Sequence, residues 1–411
     1  MRHSRPIAVL LSLALFGLLP ACGETWRPVT YVEEMRVLGV QAEPPDLNPG
    51  ASTRLSALVY DPAAPTRKNL LLWVACDPDP LKLEQPLCAK YESLTNPAGL
   101  IADSGELPEG VHLVGLGEEA SYSAPQDLFA PLPADSVHRT RGLVAIVILM
   151  AIATEPPAVF PPPEEEMLDL MIKVKLRQIP SVLSIKRIRI TEESALNSNP
   201  AIEGARFDGE LWGPGLRPVK LRPGRSYVLS GEAAAGAAER YTALDPDLRP
   251  VEKDEHLTFS WFSTLGDFDA PRTLAGDDSQ RFTIAWPFDE LPADRRGTMF
   301  LVLRDGRGGA SWARRGLFVC DPFLEPPTIA AVEPLLVPPS GKVTIRGGNL
   351  AHVIDVKLGT GWLANVSYDA EEEKLTGVVP SETEPGPQSL VVRGKSCRGD
   401  PSVSYEVGTA P

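Results

Sequence analysis

The sequence predicts an all-β chain of tandem sandwiches in an elongated multi-domain array, and three observations carry that expectation. Prolines number 42 and glycines 34 in 411 residues, and the proline share is about twice the usual one. Hydrophobic residues still make up 43% of the chain, enough for packed cores rather than disorder. The third observation is an internal repeat. Three times an apolar strand runs into a proline, a turn containing glycine follows, and a strand of period-two alternation comes next.

Glu43-Pro44-Pro45 leads through Asn48-Pro49-Gly50 into Thr53–Val59. Leu216-Arg217-Pro218 leads through Arg222-Pro223-Gly224 into Ser226–Gly231, and Glu333-Pro334 through Pro338-Pro339-Ser340-Gly341 into Lys342–Arg346. Proline lacks the N–H a ladder needs and so ends each first strand, while glycine supplies the turn that starts the second. The expected first strands are Met35–Ala42, Ser184–Ile190 and Thr328–Val332. Leu70–Val74 and Leu257–Phe262 each read as a strand with a central tryptophan, Trp73 and Trp261. Leu143–Ala153 is continuously apolar but falls well short of the roughly 20 residues that span a bilayer. It suits a strand buried on both faces. Met299–Leu303 is its counterpart in the second unit, followed by the tight turn Asp305-Gly306-Arg307-Gly308-Gly309 into Ser311–Val319. Pro161–Pro163 and Glu164–Glu166 form a stiff, charged insert ahead of a strand or helix at Met167–Leu176.

Two sandwiches with a tryptophan on the third strand resemble immunoglobulin-like domains, where that ring fills the core. The hairpin at 305–309 resembles the end of PKD-type and other bacterial Ig-like domains. Residues 326–408 resemble the IPT/TIG fold, most specifically in Val343-Thr344-Ile345 and Gly347-Gly348-Asn349-Leu350, with Ser340-Gly341 where a Gly-Gly is usual. That resemblance implies an Ig-like sandwich without catalytic residues, of a kind found in cell-surface proteins, as spacers in glycan-degrading enzymes and in surface glycan-binding lipoproteins. The expected organisation is a signal segment at 1–21, a tether at 22–30, sandwiches at 31–179 (with the insert) and 180–322, and the IPT/TIG-like sandwich at 326–408. Proline-rich connections between them are expected to hold the units apart at a preferred angle.

The address lies in the first residues. Arg2 and Arg5 precede the apolar run Ile7–Leu19, and Leu19-Pro20-Ala21-Cys22 follows. A cationic start, a short apolar middle and small residues describe an export signal. The ending resembles the lipobox of bacterial lipoproteins. The resemblance implies that Cys22 becomes an N-terminus carrying fatty-acyl chains of the palmitate type, which anchor firmly where one chain would not. Gly23 lacks the aspartate that retains such proteins at the inner membrane, so the outer membrane is expected. Once the signal is removed, Cys76, Cys88, Cys320 and Cys397 remain, an even number in an oxidising compartment. Three pairings are open. Cys76–Cys88 closes a short proline-rich loop and is favoured, which leaves Cys320–Cys397 to clip the second unit to the third.

A net charge of −14 argues against nucleic acid as a partner. The chain has no GxSxG, no HExxH and no phosphate-binding glycine loop, and His112, His138, His256 and His352 are scattered. No enzyme and no cofactor are expected, with calcium at Asp267, Asp269, Asp277 and Asp278 the one metal to consider. Asp77 and Asp79 make a weaker pair. Trp212, in a turn-rich stretch, and Trp362, at a strand start, are the candidate ligand platforms, since an indole face stacks on a sugar ring. The expected protein is a non-enzymatic, membrane-anchored envelope lipoprotein that serves as a structural, scaffold or adhesive module for an envelope protein or polysaccharide. The alternative is a surface glycan-binding lipoprotein.

Overall fold

In the computed structural model, which describes residues 28–82, 110–159, 163–212, 217–247, 249–276, 279–284 and 291–409, the three openings fold into the same piece of topology. The first unit contains β1 (Arg36–Glu43), β2 (Asp46–Leu47), β3 (Ser52–Tyr60), β4 (Leu70–Cys76), β5 (Val111–Leu116), β6 (Glu119–Ser123), β7 (Leu143–Ile152) and β8 (Ser181–Ile190). These make two facing sheets, β1-β3-β6 and β2-β8-β7-β4-β5. Two helices, α1 (Val137–Arg141) and α2 (Glu164–Lys175), belong to the same unit.

The second unit runs through β9 (Ile202–Phe207), β10 (Glu210–Trp212), β11 (Val219–Leu221), β12 (Ser226–Ala233), the hairpin β13 (Arg240–Leu244) and β14 (Pro250–Asp254), and β15 (Thr258–Ser263). It continues with β16 (Asp267–Phe268), β17 (Arg272–Leu274), β18 (Gln280–Thr283), β19 (Arg296–Arg304) and β20 (Ala310–Val319). Its sheets are β10-β9-β12-β18-β16 and β11-β20-β19-β15-β17. The third unit has β21 (Ala331–Glu333), β22 (Leu336–Val337), β23 (Lys342–Arg346), β24 (Val353–Leu358), β25 (Gly361–Trp362), β26 (Ala364–Asp369), β27 (Lys374–Val378), β28 (Gly386–Gly394) and β29 (Ser402–Val407). It pairs them as β21-β23-β27-β26 and β22-β29-β28-β24-β25.

In every unit the short strand beside the proline turn crosses to the other sheet and runs parallel to the last strand. β2 pairs with β8, β11 with β20 and β22 with β29. The all-β, Ig-like class is therefore present three times over. Trp73 and Trp261 sit fully buried at the centres of the first two cores. Their indole N–H groups donate to Gly117 O and Thr273 Oγ1, both at 2.9 Å, so neither ring buries an unmet donor.

One boundary differs from expectation. The strand over 184–190, expected to open the second sandwich, closes the first. β8 pairs with all ten residues of β7, from Leu143↔Ile190 to Ile152↔Ser181. Pro180 therefore precedes a strand within one unit, and the second unit opens at β9. The insert ahead of it forms a helix. α2 lays Met171 and Val174 over Leu70, Leu72, Met150 and Ile152 on the outer face of the β4–β7 sheet. That third layer is why β4 is buried at every residue and why β7 reads as an unbroken apolar run.

β19 is buried on both faces for a different reason. Met299, Leu301 and Leu303 face the second core, while Phe300 and Val302 face the first unit. There they join Val32, Leu38 and Leu58, with Tyr60, Phe262 and Trp312 around them. The rings of Tyr60 and Phe300 lie 4.9 Å apart. The proline-rich connections thus do not keep the first two units apart; they share an apolar layer. The expected tether to residue 30 is shorter too, because Thr30 O accepts from Ser263 N and Val32 N donates to Ser263 O, both at 2.9 Å.

Gly39 of β1 lets this layer close. A Cβ built there would lie 3.2 Å from the Trp312 ring and 3.4 Å from Val302. Gly39→Leu should wedge the layer open, lowering thermal stability by about 1–3 kcal/mol and speeding proteolysis within 28–34. Gly399→Ala, where a Cβ meets nothing within 4 Å, should change stability by less than about 0.5 kcal/mol.

Candidate functional site

The chemistry of this chain concentrates at the joints between its sandwiches. At the first joint the turn after β19 reaches across to β8 and to the connection at 191–199. Lys186 Nζ donates to Gly308 O, and burial pushes its ammonium down to about 8 despite the nearby Asp305 carboxylate. Asn197 donates to Asp305 Oδ2 at 2.8 Å through its side chain and to Asp46 Oδ2 at 3.2 Å through its backbone. Arg189 closes the network on Asp46 at 2.6 Å and on Glu193 at 3.0 Å. Arg304 spans the joint, donating to Leu38 O at 2.9 Å and to Ser260 Oγ at 2.8 Å. The Asp-Gly-x-Gly-Gly turn makes this possible: Asp305 takes the N–H groups of Arg307, Gly308 and Gly309, which shapes the loop that reaches Lys186.

The second joint is covalent and ionic. Cys320 is bonded to Cys397, 77 residues later. Beside it Asp321 N donates to Lys395 O at 2.7 Å and Cys397 N to Asp321 O at 2.8 Å. Lys220 at the β11 edge pairs with Asp400 at 2.6 Å, and Arg393 of β28 donates to Pro218 O at 2.7 Å. Arg393 also meets Asp355 Oδ2 at 3.2 Å. Burial pushes the Asp355 carboxyl up to about 6, with Arg393 and Arg217 opposing that rise. Its Oδ1 is buried and has no hydrogen-bond partner among the described residues.

Trp362 belongs to the same cluster. The guanidinium carbons of Arg217 and Arg393 lie 4.8 and 5.0 Å from its ring centroid. Its π-face is engaged inside the protein, which makes it a packing surface between the units rather than an open sugar platform. Trp212 is only 7% exposed; it ends β10 in the second core, edge-on to Phe207 at 5.6 Å. The glycines and proline after it marked a turn-rich stretch, but the indole turns inward.

The remaining sequence candidates are dispersed. Cys76 is disulfide-bonded, and its expected partner Cys88 lies outside the described residues, as do Cys22 and the signal segment. Asp269 is taken up by Arg281, at 2.8 Å to the backbone and 3.2 Å to the guanidinium. Asp277 and Asp278 lie outside the described residues, and no group of three or more His, Cys, Asp or Glu that could hold a metal occurs among the described ones. A cluster missed in the sequence joins Asp77, His112 and Tyr122. His112 Nε2 lies 2.6 Å from Asp77 Oδ2, and Tyr122 donates to Asp77 Oδ1 at 2.7 Å, with burial and this carboxylate raising the phenol. The contact needs the pairing of Cys76 with Val111, which nothing in the local sequence announces.

A cleft of about 950 Å³ lies between the start of β1, the end of α2 and the start of β8. Its described lining includes Glu34, Met35, Arg67, Val174, Arg177 and Leu183, and no aromatic ring. No helix among the described residues is long and apolar enough to cross a membrane.

No family model and no curated protein matches the chain. Among solved structures it is similar to SGBP-B from the mixed-linkage glucan utilization locus of Bacteroides ovatus, with 16% identity, 38% of this chain and 40% of that one covered, and a TM-score of 0.18. It is also similar to SGBP-B from a complex xyloglucan utilization locus of Bacteroides uniformis, with 16% identity, 51% and 49% covered, and a TM-score of 0.18. Extracellular domains 3–5 of Drosophila OTK match over 92% of this chain and 99% of theirs, with 11% identity and a TM-score of 0.18. The chain spans less than half the length of both Bacteroides proteins. TM-scores at this level bear on neither ligand nor arrangement.

Asp355 gives the second joint a pH signature. Its folded-state pKa lies above the unfolded value, so its contribution is full at low pH and is lost as the pH rises through about 6. Asp355→Asn, which is neutral at every pH, should match wild type near pH 3, below the unfolded carboxyl pKa of about 4, and exceed it by about 1–3 kcal/mol near pH 8, read by thermal unfolding at the two pH values.

Proposed function

We propose that this chain is a non-enzymatic envelope lipoprotein, anchored to the outer membrane through Cys22, whose joined sandwiches form a structural or adhesive scaffold for another envelope component. The observation that carries the reading is where the chemistry sits. Lys186 and Asp355, two charged side chains whose titration burial displaces, sit at the joints between sandwiches. In an enzyme such groups face a substrate cleft. The cleft of about 950 Å³ beside β1 offers neither a nucleophile paired with a base nor an aromatic platform among its described residues. Scaffolds need the opposite investment: fixed spacing between modules, with exposed edges and loops left for partners. Three packed units with a shared apolar layer at one joint and a disulfide at the other supply that spacing.

Cell fractionation tests the anchor. Wild type should sediment with membranes and be released only by detergent, while Cys22→Ser should be found in the soluble fraction. A membrane-bound Cys22→Ser protein would overturn the lipid anchor. Affinity electrophoresis against a panel of polysaccharides tests the scaffold role: no retardation is expected, and retardation by any of them would replace it with surface glycan binding.

A further inference from the structure

We infer that helix α2 is a second membrane contact, which lays an apolar stripe and a basic end on the lipid surface that the anchor holds nearby. The inference rests on the proposed acylation of Cys22 and goes beyond it, because it concerns the folded body.

α2 is apolar on two sides. Met171 and Val174 face the sheet and are buried. Leu168, Ile172 and Leu176, at i, i+4 and i+8, form a separate stripe that is 50, 45 and 61% exposed. A helix of a water-facing layer normally carries polar residues there. The sheet face next to it continues the pattern. Leu183 and Ile185 of β8, opposite Met150 and Ile148 of β7, are 44 and 63% exposed. An interfacial helix has this composition when cations flank its apolar side. Lys173 and Lys175 lie in the last turn of α2 and Arg177 follows directly. Glu165 and Glu166 lie at the opposite end of this twelve-residue helix, about 15 Å or more from Arg177 at 1.5 Å per residue.

The chain itself says what covers this face. Pro28, the first described residue, lies six residue steps after Cys22, a distance of at most roughly 20 Å. The Arg36 guanidinium holds Val29 O at 2.6 Å, which fixes the exit of the tether beside the start of β1. Glu33, Glu34 and Met35, just beyond that exit, line one cleft with Lys175, Arg177 and Leu183. The anchor therefore keeps the bilayer within reach of the end of α2. Lys173 is paired with Asp169 at 2.6 Å, so Lys175 and Arg177 are the cations that suit anionic headgroups, and the stripe enters the acyl boundary.

Hydrogen–deuterium exchange on acylated wild type, bound to vesicles of phosphatidylcholine and phosphatidylglycerol, tests this against unacylated Cys22→Ser in solution. Exchange of the Leu168–Leu176 amides should slow by about tenfold on vesicles, with the third unit unchanged. Leu168→Gln/Ile172→Gln/Leu176→Gln, which alters only exposed positions, should abolish that slowing while flotation persists. Vesicle-bound wild type with α2 exchanging as in solution overturns the second contact and leaves the anchor standing. Wild type that does not float with vesicles overturns both. Slowing in Cys22→Ser without vesicles, growing with protein concentration, assigns the stripe to a second copy of the chain and also overturns the contact.

Discussion

A sheet in a sandwich has two faces and its own core covers one of them, so the architecture depends on what covers the other. On β19 that cover is the neighbouring unit. Phe300 and Val302 point away from the second core and are fully buried under Leu38 and Leu58 of the first. Two sheets approach this closely only if side chains along the seam leave room, and Gly39 leaves it for Trp312. With the layer closed, the segment before β1 has one place to lie, along the end of β15, where Ser263 gives and takes its hydrogen bonds. The polar network around Asp46, Asn197 and Asp305 then falls at the rim of that layer, where its charges are paired instead of stranded.

The parts of this fold that were legible in the sequence are those encoded over a few residues. Proline ends, glycine turns, period-two alternation and central tryptophans are local, and they located β1, β3, β12 and β23 and the cores around Trp73 and Trp261. The bond between Cys320 and Cys397 was reachable by counting once Cys76 and Cys88 were matched to each other. The misplacement of β8 shows where local reading stops. Ser184–Ile190 alternates identically whether a strand opens one sandwich or closes the previous one, and only its ten-residue register with β7 decides. Met167–Leu176 stayed open between strand and helix because apolar residues occupy both sides of the helix, which blurs its period.

The candidate site was harder to read, for a reason rooted in long-range packing. Trp212 lies in a turn-rich stretch and Trp362 at a strand start after Gly361, sound signs of a turn and poor signs of which way a ring points. One indole turned into the second core, and the other was taken by guanidiniums from two different units, Arg217 and Arg393. Arg217 and Trp362 lie 145 positions apart in the chain. No spacing rule connects them, because the contact exists only once the third sandwich docks.

The two joints differ in kind, and the strands say so. β19 is buried on both faces, whereas β28 alternates, with Leu390 and Val392 inward and Val391 and Arg393 outward. The third unit therefore has no shared apolar layer behind β28; it is held by a disulfide, by Lys220 on Asp400 and by Arg393 on Pro218. Apolar burial has no charge for salt to screen and is nearly indifferent to pH, while a joint made of charges answers to both. Bending should then concentrate between the second and third units, with the disulfide setting a limit on their separation and the first two moving as one body. With the anchor proposed at Cys22, this arrangement would place the stiff pair of units near the membrane and the articulated unit at the far end, the geometry that lets a tethered module search for a partner without losing its footing.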